Sequence, residues 1–404
     1  MSRKQKVLIC GASIAGPCLA YWLTRYGFDV TVIERAPSLR MGGQNIDIKG
    51  VGRKIIRMMG VEDQIEKANT TEQGLQYVDE RNIVIAEFPK GSTTSFTSEI
   101  EILRGDLSNI FYTLTKTEAK YRFGTYVTKL AQTDKEVIVT FNGDGQEQFD
   151  LVIAADGIGS CTRTIIFGNE PRLKYLGYYT SYLTIPRVMT DTQWARWYTA
   201  PSARVVILRP DNKGSTRASV TFSAPNHGVQ PTSETEKRQV LKNVLKGGGW
   251  ECDRIAAVLD DVDDIYIGPL SQVKASRWAS GRCGMVGDAA YCPSPLTGMG
   301  TTLAIVGAYV LAGELFRQKE YGAAFRSYET LMRPYVEKVQ KLPPGVPRIA
   351  YPKTKMGVWV LNNVVKIFAS RPVQKLISLL SGQPKLDTDN DDGFVLPEYL
   401  RNVD

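Results

Sequence analysis

A single histidine, His227, stands among 404 residues, and that scarcity removes several classes of chemistry at once. A Ser-His-Asp triad, an imidazole general base and a His-rich metal centre all need imidazole in a defined setting, whereas Pro225-Asn226-His227-Gly228 reads as a loop. The cysteines (Cys10, Cys18, Cys161, Cys252, Cys283 and Cys292) are scattered, with no C-x-x-C pair and no ligand spacing. They read as reduced, mostly buried thiols, and no metal is expected. Long apolar runs are missing too. Thr302 to Leu315 and Val358 to Ala369 are too short, and too interrupted by Gly, Asn or Lys, to cross roughly 30 Å of hydrocarbon, so they read as buried or at most surface-associating helices. The strand-like Val7-Leu8-Ile9-Cys10 follows Met1 so closely that no signal peptide fits, and a cytoplasmic location is expected. Net charge is +8, but the basic residues read as dispersed among acids, which suits an enzyme handling anionic ligands and not a nucleic-acid binder.

What is present is ordinary globular material, 43% hydrophobic and 23% charged, enough for a sizeable core. The chain opens with a strand to Cys10, a helix over about Ile14 to Tyr26 and a second strand, Asp29 to Glu34, the start of a parallel α/β unit. A helix is expected after Arg104, then strands at Val137 to Phe141 and Leu151 to Ala155 around the Gly143-Asp144-Gly145 turn. From Tyr175 to Pro269 the pattern changes to short β runs, and it returns to α/β at Cys283. The expected division is therefore a discontinuous α/β domain over 1–174 and 270–340, an inserted β-sheet domain over 175–269, a helical segment over 341–385 and a solvated tail over 386–404.

Gly11-Ala12-Ser13-Ile14-Ala15-Gly16 follows the first strand and opens the first helix, as a dinucleotide fingerprint must, and Glu34 ends the next strand about 18 residues later. Gly11 would make the tight turn, Gly16 would let helix and strand pack closely, and the helix N-terminus would meet a pyrophosphate. Glu34, followed by Arg35, would accept hydrogen bonds from a ribose. Ser13 replaces the second glycine of the pattern and offers a hydroxyl in its place. These residues indicate a dinucleotide without specifying which.

Two later motifs narrow the choice. Leu151-Val152-Ile153-Ala154-Ala155-Asp156-Gly157 is a buried strand ending in a carboxylate and a turn, with Arg163 close behind. Gly287-Asp288 likewise follows an apolar strand and leads through Pro293, Ser294, Pro295 and Leu296 to Gly298, Gly300 and Thr301, where a helix opens. Such a helix would aim its positive end at the negative charge of a reduced flavin. In this order and at these separations, the three motifs resemble those of class A flavoprotein monooxygenases of the para-hydroxybenzoate hydroxylase fold. Ile102-Leu103-Arg104-Gly105-Asp106 resembles that family's arginine segment. Arg40 through Ile48, including Gly43, together with Tyr291 in place of a more usual histidine, look like the tetracycline-inactivating members and their polyketide-hydroxylating relatives.

The resemblance implies a Rossmann-like FAD-binding domain with an inserted β-sheet substrate domain and C-terminal helices. FAD would lie against Gly11, Ser13, Ile14, Ala15, Gly16, Glu34, Arg35, Gly43, Arg104, Asp156, Gly157, Arg163, Gly287, Asp288, Pro295, Gly298, Gly300 and Thr301. Only one fingerprint is present, so NAD(P)H would visit as a transient co-substrate. The implied reaction is hydroxylation by O2 of a phenolic or enolic polycyclic substrate, such as a tetracycline or aromatic polyketide, through a flavin C4a-hydroperoxide. Candidate substrate-side groups are Gln44, Asp47, Tyr182 and Arg204, each set against an ordinary structural role. An apolar helical pattern over Met356 to Leu380 suits packing on the cofactor domain better than a cap over the substrate opening. A monomer or weak dimer is expected. An FAD-dependent oxidase or dehydrogenase, a Baeyer–Villiger enzyme and a non-catalytic flavin-binding sensor remain open as alternatives.

Overall fold

The computed structural model of the protein describes residues 3–91, 100–229, 231–380 and 393–399. Lys6–Cys10 is apolar at every position but the first, and a strand of that kind needs cover on both faces. It lies inside a six-stranded sheet ordered Ala279–Ser280, Cys283–Met285, Leu151–Ala154, Lys6–Cys10, Asp29–Glu34, Lys120–Phe123. All neighbours are parallel except the edge pair Ala279–Ser280 and Cys283–Met285. Side chains alternate across the strand, so Val7 and Ile9 join the helices Ala15–Arg25 and Gly300–Arg317 in one core. Leu8 and Cys10 meet Val137, Val139 and Phe149 of a three-stranded antiparallel sheet on the other face. The strand ends carrying the Gly11, Asp156 and Gly287 turns are thereby brought to one edge, where an open parallel sheet binds ligands.

A seven-stranded sheet forms the second layer, ordered Tyr266–Lys274, Arg172–Pro186, Ser215–Ser223, Arg204–Pro210, Ala195–Ala200, Gly74–Val78, Val84–Pro89. The β-rich segment expected over 175–269 is thus extended by a hairpin from residues 74–89, which joins through a parallel pairing of Gly74–Val78 with Ala195–Ala200. One face of this sheet is sealed by the helices Glu234–Leu245 and Cys252–Val258, whose Leu241, Leu245 and Ile255 pack on Val206, Val220 and Phe222. The opposite face looks toward the six-stranded sheet. A two-stranded ribbon, Asn45–Asp47 with Glu101–Leu103, lies between the layers.

Two C-terminal expectations change. Residues 386–392 and 400–404 of the expected tail lie outside the described residues, but the stretch between them is docked and not solvated. Phe394 packs on Tyr335, and buried Tyr399 donates a hydrogen bond to Glu314 Oε1 at 2.7 Å. The helix Lys355–Phe368 rests on the hairpin end of the seven-stranded sheet through Val365, with Ala369 just beyond it, and none of its residues is fully buried. Among the described residues no helix is long and apolar enough to cross a membrane.

Candidate active site

At the nucleotide end, Gly11 holds φ +116°, and a Cβ there would stand 2.5 Å from the Ala155 carbonyl oxygen. At Gly16 a Cβ would meet the Gly11 carbonyl oxygen at 1.9 Å. Both glycines therefore mark places where one backbone presses on another, as the fingerprint requires. The Glu34 carboxylate accepts from the backbone N–H of Ala12 at 3.0 Å and of Ala36 at 2.9 Å, which fixes it at the mouth of the turn. The helix Ala15–Arg25 starts at Ile14 with no side-chain cap, so its first N–H groups are offered to a ligand. Arg35 is exposed and lies over the Tyr126 ring at 5.0 Å.

Ser13 has a clear task. Its hydroxyl accepts from Arg104 Nη1 at 2.9 Å and lies 3.4 Å from Ser108 Oγ. Arg104 also donates to the Gly42 carbonyl oxygen, while its own backbone N–H donates to the Gln44 carbonyl oxygen at 3.0 Å. Gly43, at φ +127°, lies so close over this side chain that a Cβ would meet Arg104 Nε at 2.5 Å. Burial lowers the Arg104 pKa, with Arg40 adding to the effect and Glu34 opposing it. A half-buried guanidinium of this kind calls for an anionic or carbonyl-rich partner beside it.

The Asp156 motif is held by bonds within its own turn. Its carboxylate accepts from Ser160 Oγ and from the Thr162 backbone N–H at 3.1 Å, closing its own turn. Arg163 is buried, and its guanidinium is spent on the Ala289 carbonyl oxygen at 3.0 Å and the Ile158 carbonyl oxygen at 2.7 Å. The arginine thereby ties the second motif to the third. Tyr291, too, faces inward. It is buried, takes a hydrogen bond from Tyr328 Oη at 3.1 Å, and fits because position 307 is glycine.

The third motif provides a second bed. The helix Gly300–Arg317 begins at Met299 without a side-chain cap, leaving its first N–H groups and positive dipole end available. In front of it, a 3-10 turn over Pro295–Thr297 ends at Gly298. Ser294 has φ 77°, and its buried hydroxyl has no partner. Burial raises the Asp288 carboxyl, with Cys292 pulling the other way. Around Gly298 the nearest atoms to an added Cβ would be Lys49 Nζ at 3.4 Å and Asp47 Oδ2 at 3.8 Å, and Asp47 and Lys49 pair at 3.4 Å. Thr302, beside the expected Thr301, accepts from the Lys49 backbone N–H at 3.0 Å and so holds that loop to the helix. An orphaned hydroxyl, two uncapped helix starts, the fixed Glu34 carboxylate and half-buried Arg104 fit an elongated, polar, phosphate-bearing group such as FAD.

Facing this bed is one cross-strand row of the seven-stranded sheet: Tyr266, Tyr182, Ser219, Ile207, Trp197 and Tyr77, each opposite the next. Tyr182 stacks on Tyr266 with centroids 5.9 Å apart, and Trp197 on Tyr77 at 5.5 Å. Leu296 of the Pro295–Thr297 turn joins the cluster that Trp197 and Ile207 flank, so the row and the third motif meet. Burial pushes the Tyr182 phenol well up, keeping it protonated. Arg204 does not reach this face. It opposes Phe222 on the sealed side and donates to the carbonyl oxygens of Val244 at 2.9 Å and Lys246 at 3.0 Å, at the end of the helix Glu234–Leu245. It lies three positions before Ile207, an odd offset, and strand alternation puts the two on opposite sides.

A cation on the ligand-facing side is Arg209, two residues beyond Ile207. It donates to Glu72 at 2.8 and 2.9 Å and to Glu101, and both carboxylates have no exposed side-chain surface. Glu101 also receives Thr70 Oγ1 and Asn45 Nδ2, and Asn45 Nδ2 reaches the Pro210 carbonyl oxygen at 3.1 Å. This network clamps the sheet to the ribbon that carries Gln44 and Asp47. Motif reading overlooked it because its members lie far apart in the chain; strand parity relative to Ile207 is the only local signal for Arg209.

Comparison with known proteins agrees with this geometry. A flavin-dependent monooxygenase of Legionella longbeachae is 36% identical over 409 residues, covering 99% of each chain. The FAD-dependent monooxygenase asL4 of Sarocladium schorii is 35% identical over 397 residues, covering 90% of this chain and 92% of that one. Among solved structures, the tetracycline destructase Tet(51) superposes with a TM-score of 0.81 at 32% identity, covering 98% of this chain and all of that one. The family model for the FAD binding domain matches residues 4–342, and with these relatives it establishes that the chain belongs to the FAD-binding flavin monooxygenases.

Proposed function

We propose that this FAD-dependent monooxygenase consumes NAD(P)H and hydroxylates a phenolic or enolic polycyclic substrate of the tetracycline or aromatic polyketide type. The observation that carries the reading is the row Tyr266, Tyr182, Ile207, Trp197 and Tyr77 set against the Leu296 turn, a flat aromatic wall suited to a fused-ring molecule. The likeness to Tet(51) and to Tet(55), the latter at 31% identity over 99% of this chain, supports the substrate class.

Bound in this site, FAD would supply the redox chemistry of an NAD(P)H- and O2-dependent hydroxylation, with one oxygen atom going to the substrate and the other to water. The chain's own residues bind, orient and insulate. Glu34 would hold the adenosine ribose, the N-terminus of Ala15–Arg25 the pyrophosphate, and Arg104 with Gly43 the side of the isoalloxazine system. The open end of Gly300–Arg317 would stabilise negative charge at the pyrimidine edge. Tyr182, protonated throughout the neutral range, would donate a hydrogen bond to a substrate oxygen, and the aromatic wall would keep water out. Asp47, salt-bridged to Lys49 beside Gly298, would border the reacting end. Gln44 gives its carbonyl to Arg104, which makes it a support for the flavin side.

The test is to follow NADH and NADPH oxidation by the FAD-loaded protein across tetracyclines and simpler aromatic polyketides, and to locate isotopically labelled oxygen from O2 in the product. Substrate-accelerated oxidation with one labelled atom in the product is expected. A product without label would sink the monooxygenase reading, and label in a compound lacking fused rings would sink the substrate class.

A further inference from the structure

The helix Lys355–Phe368 shows its apolar side to solvent. Met356 is 69% exposed, Trp359 63%, Val364 54% and Ile367 62%. At about 3.6 residues per turn, these residues with Val360 and Phe368 share one side, while Val365 and, just past the helix, Ala369 face the sheet and Lys355 and Lys366 stand at the border. The apolar pattern suggests packing on the cofactor domain; the inner side packs instead on the hairpin end of the seven-stranded sheet.

Charge identifies what covers the outer side. From Lys338 to Leu386 the chain carries nine Lys and Arg residues and no Asp or Glu. Of the 50 basic residues that leaves 41 elsewhere against all 42 acids, so the entire positive excess of the protein lies in this segment. The other 41 basic residues are interleaved with acids, but the excess is concentrated. Lys353, Lys355, Lys366, Arg371 and Lys375 are all exposed around the apolar patch. Two copies meeting through this face would set cation against cation with no acid in the segment to pair them. We propose that this face docks on an anionic lipid surface, the Trp359 side entering the headgroup boundary and the flanking lysines meeting phosphates.

The experiment uses the full FAD-loaded chain and vesicles of phosphatidylcholine alone or with about one third phosphatidylglycerol. Co-sedimentation with the anionic vesicles only, weakening as salt rises, is the expected result. Lys355→Ala with Lys366→Ala should weaken binding about 25-fold, and Trp359→Ser about tenfold. Circular dichroism and flavin content should match the parent in both. Equal binding to both vesicle types, no binding at low salt, or variants that bind like the parent would overturn the proposal. So would concentration-dependent self-association that Trp359→Ser abolishes, which would assign the face to a second copy.

Discussion

Replacing Arg209 by methionine removes one cation from between two carboxylates that have no exposed side-chain surface. Breaking a buried pair from one side typically costs about 3–5 kcal/mol, because the partner charge is left without compensation. The cost should depend on pH, and its sign follows from Glu101. Burial raises that carboxyl above its ordinary 4.5, with Arg209 pulling it back down. Without the arginine the folded-state value climbs further. A carboxyl raised in the folded state contributes its stability below the unfolded value and loses it as pH rises through the folded value, at about 1.4 kcal/mol per pH unit for one proton. The variant should therefore be close to the parent at about pH 5 and fall progressively behind toward about pH 8. Urea unfolding followed by intrinsic fluorescence, at a fixed excess of FAD so that cofactor linkage is constant, measures the difference. Glu101→Gln in the Arg209→Met background, which exchanges the charge for a neutral group, should recover most of the loss at the higher pH. A cost that is the same at both pH values, or no recovery from the second substitution, would refute a charged clamp and leave only lost packing.

Other expectations follow from single contacts. Arg104→Met removes the bonds to Ser13 and Gly42 and should weaken FAD binding about 10- to 100-fold in a flavin-fluorescence titration, since hydrogen bonds to a charged group contribute about 1.5–3 kcal/mol. Gly11→Ala drives a Cβ to within 2.5 Å of the Ala155 carbonyl oxygen at a φ that favours glycine, and should give a protein that purifies without its yellow absorption. Arg204→Ala frees the carbonyl oxygens of Val244 and Lys246 and should cost about 1–3 kcal/mol of stability while leaving KM for the organic substrate unchanged; a raised KM would return Arg204 to the substrate side.

Legibility in the sequence followed how local each feature is. The Gly11–Gly16 turn, Glu34 and the Gly287–Gly300 segment were readable because each is a short strand-to-helix junction whose chemistry is complete within a few residues, and the structure brings all three to one sheet edge. Asp156 and Arg163 were readable as a unit but not as to use, since a carboxylate beside a turn serves equally a ligand or its own backbone; here Ser160 and the Thr162 N–H take it. The 74–89 hairpin was illegible as part of the second sheet because its partner strand begins over 100 residues later, and no local pattern specifies that pairing. Arg204 and Arg209 make the point most sharply. They lie on one strand, five residues apart and therefore on opposite faces, and they are the same residue type. Which of them meets the site depends on which face two later helices cover, and those helices are themselves amphipathic segments that gave no hint of which sheet face they would take. Parity along a strand is thus strict while its origin is global. For that reason the row from Tyr266 to Tyr77 stands or falls as a whole: if any one of its rings contacts substrate, Arg209 shares that face and Arg204 does not.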